Sequence, residues 1–197
     1  MSVVSAAVLL FLVIDPLGNN PMFLVALREV EPLRRQTVIV RELLIALAVL
    51  LLFLFAGPFL LWIFHISEPS LSIAGGVILF LIALRMIFPN RDGGFAELPD
   101  KEPFIVPLAV PYLAGPSAIA TVMLMVAREP QRLPEWILAV GAAWLASAAI
   151  LYSGARLSRV LGQRGLIALE RLMGMLLTAV AVQMTLTGIR AFLATTP

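Results

Sequence analysis

The sequence predicts an all-α integral membrane protein of six transmembrane helices, arranged as two inverted three-helix repeats. Hydrophobic residues make up 61% of the 197 residues and charged residues 13%, roughly half of the charged fraction that is usual in soluble domains. The mean hydropathy is +1.01. The charges lie in short clusters between long neutral runs, and two of these runs are interrupted by proline and glycine at matching places in the two halves of the chain.

Six apolar runs are long enough to cross a bilayer, because about 20 helical residues cover ~30 Å of hydrocarbon. The predicted spans are 3–27, 43–64, 70–88, 104–127, 136–155 and 172–189. They form a single membrane domain, 1–197, in which repeat one covers 1–89, a polar connecting loop covers 90–102, and repeat two covers 103–197.

Span 1 contains a break at residues 14–21, which read IDPLGNNP. Pro16 and Pro21 each remove a backbone donor, and Gly18 tolerates almost any backbone angle. The helical piece before the break covers only ~18 Å, so both pieces are needed to cross the membrane. Irregular backbone at membrane depth has to be buried in protein or line a wet cavity, because lipid offers no hydrogen bonds.

Span 4 contains a second break at residues 111–117, which read PYLAGPS. Asn20 and Gly115 are predicted to cap the helical pieces that follow the two breaks, with Pro21 and Pro116 at the first helical positions. The free N–H groups of both pieces would then point to the middle of the membrane, where they favour a carboxylate or another anion.

Spans 1 and 4 are the two that are predicted to be broken, and Gly57-Pro58 predicts a kink in span 2. Small residues would let neighbouring helices approach closely, and they also allow an oligomer. The small residues on the predicted packing faces of spans 3 and 5 are Ala74, Gly75, Gly76, Ala139, Ala143 and Ser147. Trp62 and Trp136 are predicted to anchor their helices at the membrane interface.

Two spacings relate the halves of the chain. Gly18 and Gly115, in the two breaks, are 97 residues apart, and Gly76 and Gly174, in spans 3 and 6, are 98 residues apart. We therefore predict a duplicated three-span unit. Because three spans are an odd number, the second copy must be inverted relative to the first, as in many secondary transporters.

The basic residues predict the orientation. Eleven of the 14 lie in the connections between spans 1 and 2, 3 and 4, and 5 and 6, and three lie on the opposite side. The positive-inside rule therefore places these connections in the cytoplasm and both termini in the periplasm.

Asp15 carries the functional hypothesis. It follows the first helical piece, where its charge adds to the negative end of the helix dipole, so a cation belongs beside it. An ammonium, a sodium ion or a proton would serve, and a zwitterionic amino acid would satisfy Asp15 and the free N–H groups at once. The alternative is structural, with Asp15 capping the N–H of Leu17 or Gly18 in an Asx turn.

The predicted substrate-binding residues lie in the two breaks. They are Asp15, Gly18, Asn19, Asn20, Ala114, Gly115 and Ser117. Arg85 and Gln183, which correspond at the 98-residue offset, are secondary candidates. Arg85 can instead extend to the cytoplasmic surface, and Gln183 can instead hydrogen-bond a neighbouring helix.

No catalytic residue, metal ligand or cofactor is predicted. The chain has no cysteine and a single histidine, His65, in a predicted surface turn, so the usual zinc ligand sets are missing. The charge pattern does not indicate nucleic-acid binding. The expected partners are the lipid bilayer and a small neutral amino acid.

Several of these residues resemble motifs of the MarC family, the six-span neutral amino-acid transporter family. The resemblance rests on DPLGNNP at 15–21, IAGG at 73–76 followed by RMIFP at 85–89, VPLAVP at 106–111 with AGP at 114–116, and RLMG at 171–174. It covers nearly the whole chain. It implies an inner-membrane protein with six spans and, as in some members, transport of small neutral amino acids such as glycine and alanine.

The predicted function is secondary transport of small neutral amino acids across the cytoplasmic membrane, coupled to Na⁺ or H⁺. The substrate would be held between the unwound segments of spans 1 and 4. Two alternatives are an intramembrane hydrolase with Asp15 as general base and a non-transporting membrane scaffold. A hydrolase would need a nucleophile–base pair, and the sequence has none near either break. A scaffold would leave the two polar breaks unexplained.

Overall fold

A computed structural model describes residues 1–27, 30–31, 33–88 and 113–195, which form α-helices and short turns and contain no β-strand. The helices in these ranges are α1 (Val3–Ile14), α2 (Asn20–Ala26), α3 (Arg35–Ile63), α4 (Glu68–Ile87), α5 (Pro116–Arg128), α6 (Leu133–Tyr152) and α7 (Gly154–Thr195). The predicted connecting loop, 90–102, and the predicted first part of span 4, including Pro111 and Tyr112, lie outside the described residues.

Four described segments are long and apolar enough to cross a membrane, and they correspond to predicted spans 2, 3, 5 and 6. They are Arg35–Ile63, Glu68–Ile87, Pro130–Tyr152 and Arg164–Ala194. Predicted spans 1 and 4 contain the shorter apolar helices α1 and α5. Large apolar side chains cover the outer surface of the helices; Phe59 is 60% exposed and Trp62 is 74% exposed. Such a surface suits lipid rather than water, and the predicted all-α class is confirmed.

Local chemistry sets several helix boundaries. Ser2 and Ser67 cap α1 and α4, because their hydroxyl oxygens accept hydrogen bonds from the N–H groups of Ser5 (3.1 Å) and Ser70 (3.3 Å), each of which would otherwise lack a partner inside its helix. The residues of α7 before and after Gly162 form two helical pieces, because this glycine has a φ of 64° that a helix cannot include.

Helices α4 and α7 pack against each other more extensively than any other pair of described helices. Gly76 lies at their contact, where a Cβ atom would lie 2.8 Å from the carbonyl oxygen of Ala181. Gly174 makes the reciprocal approach, and a Cβ atom there would lie 3.1 Å from the carbonyl oxygen of Ala83. The close helix approach predicted at Gly76 is therefore confirmed, and the neighbouring helix is α7.

The small residues of α6 are used inside the fold. Ala139, Ala143 and Ser147 are buried, and α6 packs against α1 and α3. The hydroxyl of Ser147 donates a hydrogen bond to the carbonyl oxygen of Ala143 at 2.8 Å, within its own helix. The predicted packing face of span 5 thus contacts helices of the same chain.

Trp136 does not face lipid. Its side chain is 1% exposed, its Nε1 donates to the carbonyl oxygen of Glu129 at 3.0 Å, and the guanidinium of Arg132 lies 4.7 Å from the ring centroid. The prediction that Trp136 is an interfacial anchor is therefore wrong, because contacts within the chain cover it. Trp62, in contrast, is largely exposed.

Candidate functional site

The first break begins where Asp15 leaves the helical conformation. Asp15 has φ 49° and ψ 60°, and its N–H still donates to the carbonyl oxygen of Phe11 at 3.0 Å. A left-handed residue at this position ends an α-helix. The carboxylate then turns back over the break, and its Oδ1 accepts a hydrogen bond from the N–H of Gly18 at 3.0 Å. The contact expected of a structural Asx turn therefore exists.

The other carboxylate oxygen of Asp15, Oδ2, accepts no hydrogen bond from any part of the chain that the structure describes. The side chain is only 3% exposed. A Cβ atom on Gly18 would collide with Oδ2 and with the methyl group of Met86, so only glycine leaves room for both groups here. Asp15 can therefore cap the break through Oδ1 and still offer Oδ2 to a cation.

The two asparagines of the break have different roles. Asn19 donates from Nδ2 to the carbonyl oxygen of Ile14 at 2.9 Å, which satisfies one of the acceptors left open where α1 ends. Asn20 is the first residue of α2 and not its cap, so its predicted capping role is wrong. Its side chain is fully buried against the start of α7, where Nδ2 lies 3.5 Å from the carbonyl oxygen of Gly154. Within the described ranges, Oδ1 of Asn20 has no hydrogen-bond partner.

Helix α5 begins as the sequence predicts. Gly115 is the N-cap in an extended conformation (φ −73°, ψ 163°), and Pro116 is the first helical residue. No side chain caps this end, so the N–H groups of Ser117 and Ala118 are not used by a cap. The start of α5 therefore presents backbone donors and the positive end of a helix dipole.

One cavity, of about 370 Å³, brings the two breaks together. Six of the nine predicted site residues line it, namely Asp15, Gly18, Asn19, Arg85, Gly115 and Ser117. Asn20, Ala114 and Gln183 do not; Ala114 and Asn20 are fully buried elsewhere. Glu170 of α7 also lines this cavity, which we call the charged cavity after Asp15, Arg85 and Glu170. Its volume is within the range of small-molecule sites.

Sequence reasoning missed Glu170. The residue lies just before the RLMG motif, in a predicted cytoplasmic connection. In this connection, only the basic residues entered the prediction, as markers of orientation. The available signal was an acidic residue directly before the predicted start of span 6, and intramembrane or near-membrane carboxylates are functional candidates by default.

The charged cavity has groups of both signs. Asp15 and Glu170 supply two carboxylates, while Arg85, in the last turn of α4, and the N-terminus of α5 supply positive charge. Among the described residues, no ion pair involves Asp15, Arg85 or Glu170. These groups can therefore bind a small ligand that itself carries both charges.

Gln183 lines a second cavity, of about 470 Å³, together with Ser72, Thr121 and Thr187. Its Nε2 donates to the hydroxyl of Thr187 at 3.3 Å, within α7. Gln183 was predicted to hydrogen-bond a neighbouring helix, but this hydrogen bond lies within its own helix. We refer to this space as the second cavity.

The comparisons with known proteins cover nearly the whole chain. The family model described as MarC family integral membrane protein matches residues 1–193. The UPF0056 inner membrane protein YhgN of Escherichia coli (strain K12) is 48% identical over 192 residues, 97% of this chain and 98% of that protein. A UPF0056 membrane protein of Buchnera aphidicola subsp. Schizaphis graminum is 42% identical over 190 residues, 96% of this chain and 97% of that protein. A UPF0056 membrane protein of Pyrococcus abyssi is 32% identical over 185 residues, 92% of this chain and 90% of that protein. No solved structure matches.

Proposed function

Because the chain belongs to the MarC family of integral membrane proteins, we propose that it is a secondary transporter of small neutral amino acids, such as glycine and alanine. The charged cavity is the observation that carries the proposal, since it gathers residues from two separate helix ends and from α4 and α7. We place the protein in the inner membrane, the location that the name of the Escherichia coli relative gives for that protein.

The chemistry of the cavity supports a zwitterionic substrate. The N–H groups at the start of α5 and the guanidinium of Arg85 would bind the carboxylate of an amino acid. Oδ2 of Asp15 would bind its ammonium group or the coupling cation. Glu170 supplies a second carboxylate in the same cavity, so an ammonium group and a Na⁺ or H⁺ can be accommodated together.

The proposed architecture is two inverted repeats of three spans, with α1 and α2 as one interrupted span and α5 as the second part of another. The reciprocal contacts of Gly76 with Ala181 and of Gly174 with Ala83 support it, because each residue of the first pair has its counterpart in the second pair at an offset of 98. Both termini would lie in the periplasm, as the distribution of basic residues favours.

Uptake by purified protein in liposomes tests the function. We expect radiolabelled glycine or alanine to accumulate in liposomes that contain the protein and not in empty ones, and a Na⁺ or pH gradient to increase the accumulation. Asp15→Asn is the matched control for the site. Folded protein that transports none of the small neutral amino acids under either gradient would contradict the proposal and favour a scaffold, and chemical conversion of the amino acid would favour an enzyme.

A further inference from the structure

The charged cavity and the second cavity are lined by successive turns of the same helices. On α1, Leu9 lines the second cavity and Val13 lines the charged cavity; on α5, Thr121 lines the second cavity and Ser117 the charged one. Four residues of α-helix rise by ~6 Å. The lining of both helices therefore passes from one cavity to the other within about one turn.

Where α4 meets α5, small residues lie between the two cavities, and we call this contact the septum. It contains Ala118 and Ala120 of α5, which are 1% and 5% exposed, and Gly75 of α4. A Cβ atom on Gly75 would lie 3.0 Å from the Cβ of Ala120, so α4 and α5 are in direct contact there. The methyl group of Met184 also reaches this contact, 3.3 Å from the same Cβ position. Methionine is flexible, so a small displacement of α5 against α4, with a rotation of this side chain, can open the layer.

Parts of the linings of the two cavities also correspond at the 98-residue offset of the proposed repeats. The corresponding pairs, with the residue of the charged cavity first, are Ile82 and Val180, Arg85 and Gln183, Met86 and Met184, and Glu170 and Ser72. In three pairs the α4 residue lines the charged cavity and the α7 residue the second; in the fourth the helices are exchanged. On α4 and α7, these residues of one cavity therefore have their counterparts in the other, and two charged groups of the charged cavity correspond to neutral polar groups of the second. The corresponding glycines of the two breaks, Gly18 and Gly115, both line the charged cavity.

We infer that the second cavity is the opposite vestibule of one transport route and that the septum is the gate between the two. This inference rests on the proposed transport function. The second cavity is lined by two charged side chains, and each is paired: Arg128 lies 4.0 Å from Glu68, and Glu129 lies 2.6 Å from Arg132. A small zwitterion thus passes through the second cavity, and its charges are recognised in the charged cavity.

Single cysteines test the two-ended route, because the chain has none of its own. Ile82→Cys and Val180→Cys are a matched pair, since the two positions correspond in the repeats and line different cavities. In sealed vesicles of known orientation, a membrane-impermeant thiol reagent should modify the two variants from opposite sides of the membrane. Leu81→Cys, 55% exposed and part of neither described lining, is expected to face lipid and stay unmodified.

Modification of both variants from the same side, or of neither variant although the denatured proteins react, would overturn the inference. The readout requires no substrate, so this failure is distinguishable from a failure of the uptake experiment. If uptake fails while the two cysteines react from opposite sides, the two-ended route stands and the substrate assignment does not.

A cross-link tests the gate. Cβ atoms joined by a disulfide are ~3.8 Å apart, so the close contact of Gly75 and Ala120 allows Gly75→Cys with Ala120→Cys to form one after a small adjustment. We expect oxidation of the double variant to abolish uptake, a reductant to restore it, and neither single variant to respond to oxidation. Full uptake by the cross-linked protein would show that the septum is not the gate, and failure to cross-link would contradict the contact that defines it.

Discussion

Gly76 packs directly against the carbonyl oxygen of Ala181, from which a Cβ atom at residue 76 would be only 2.8 Å away. The contact of Gly174 with Ala83 repeats this arrangement with the two helices exchanged, and both pairs of equivalent residues are separated by 98 positions. The two-fold relation between the proposed repeats would produce such an exchange, so this pair of contacts links the proposed repeat to the packing of α4 against α7.

The Gly76 contact predicts a stability effect. Gly76→Val should force α4 away from α7, and overpacking of this kind costs ~1–3 kcal/mol, which corresponds to a fall of roughly 2–12 °C in the midpoint of thermal unfolding. Gly141→Val is the matched control, because among the described residues no atom beyond its helix neighbours lies within 4 Å of a Cβ at Gly141. Equal midpoints of the two purified variants in detergent would contradict the packing role of Gly76.

The contact between α2 and α7 predicts a coupled pair. A Cβ atom on Gly154 would collide with Oδ1 of Asn20, so Gly154→Ala should lower the thermal midpoint. Asn20→Ala removes this collision. It also removes Oδ1, a buried acceptor to which no group in the described ranges donates a hydrogen bond. The double variant should therefore be more stable than the sum of the single effects, with a coupling energy of roughly 0.5–3 kcal/mol. Additive effects in a double-mutant cycle would show that the two residues act independently.

The local patterns of the sequence predicted the helix ends well. Proline and glycine act on their immediate neighbours, so the end of α1 beside Asp15 and the start of α5 at Gly115 could be read directly. The apolar composition likewise predicted the all-α membrane class. The first part of the break in span 4, with Pro111 and Tyr112, lies outside the described residues and stays a prediction.

Roles that depend on distant partners could not be read from local patterns. Asn20 looks like a helix cap in sequence, but its amide meets Gly154, 134 residues away. Trp136 looks like an interfacial anchor, but its side chain belongs to the buried core that several helices form together. Glu170 reaches the charged cavity because α7 packs along α4, a relation that no neighbouring residue reveals.

The distribution of basic residues predicts the orientation of the chain. With 11 of 14 basic residues in the connections assigned to the cytoplasm, both termini should lie in the periplasm. A reporter that is active only in the periplasm should be active when fused to the C-terminus, and one that is active only in the cytoplasm should be inactive. The reverse pattern would contradict the orientation, and opposite locations of the two termini would contradict an even number of spans.

Asp15 gives the sharpest test of the site. Asp15→Asn keeps an oxygen that can accept the hydrogen bond of the Gly18 N–H and removes the charge. If Asp15 binds the substrate ammonium or the coupling cation, the variant loses a charge-assisted hydrogen bond worth roughly 1.5–3 kcal/mol, or about a 10- to 150-fold weaker affinity. Thermal stability should stay near that of the wild type, because the capping contact is kept.

The binding of glycine or alanine to Asp15→Asn, measured across Na⁺ concentration and pH, then separates the two roles of Asp15. A lost dependence on the cation indicates coupling, and a uniform fall in affinity indicates contact with the ammonium group. Glu170→Gln is the matched comparison, because it removes the other carboxylate of the charged cavity without touching the break. If Asp15→Asn changes neither the affinity nor the cation dependence, Oδ2 binds no cation during transport, and the residue acts only as a cap through Oδ1.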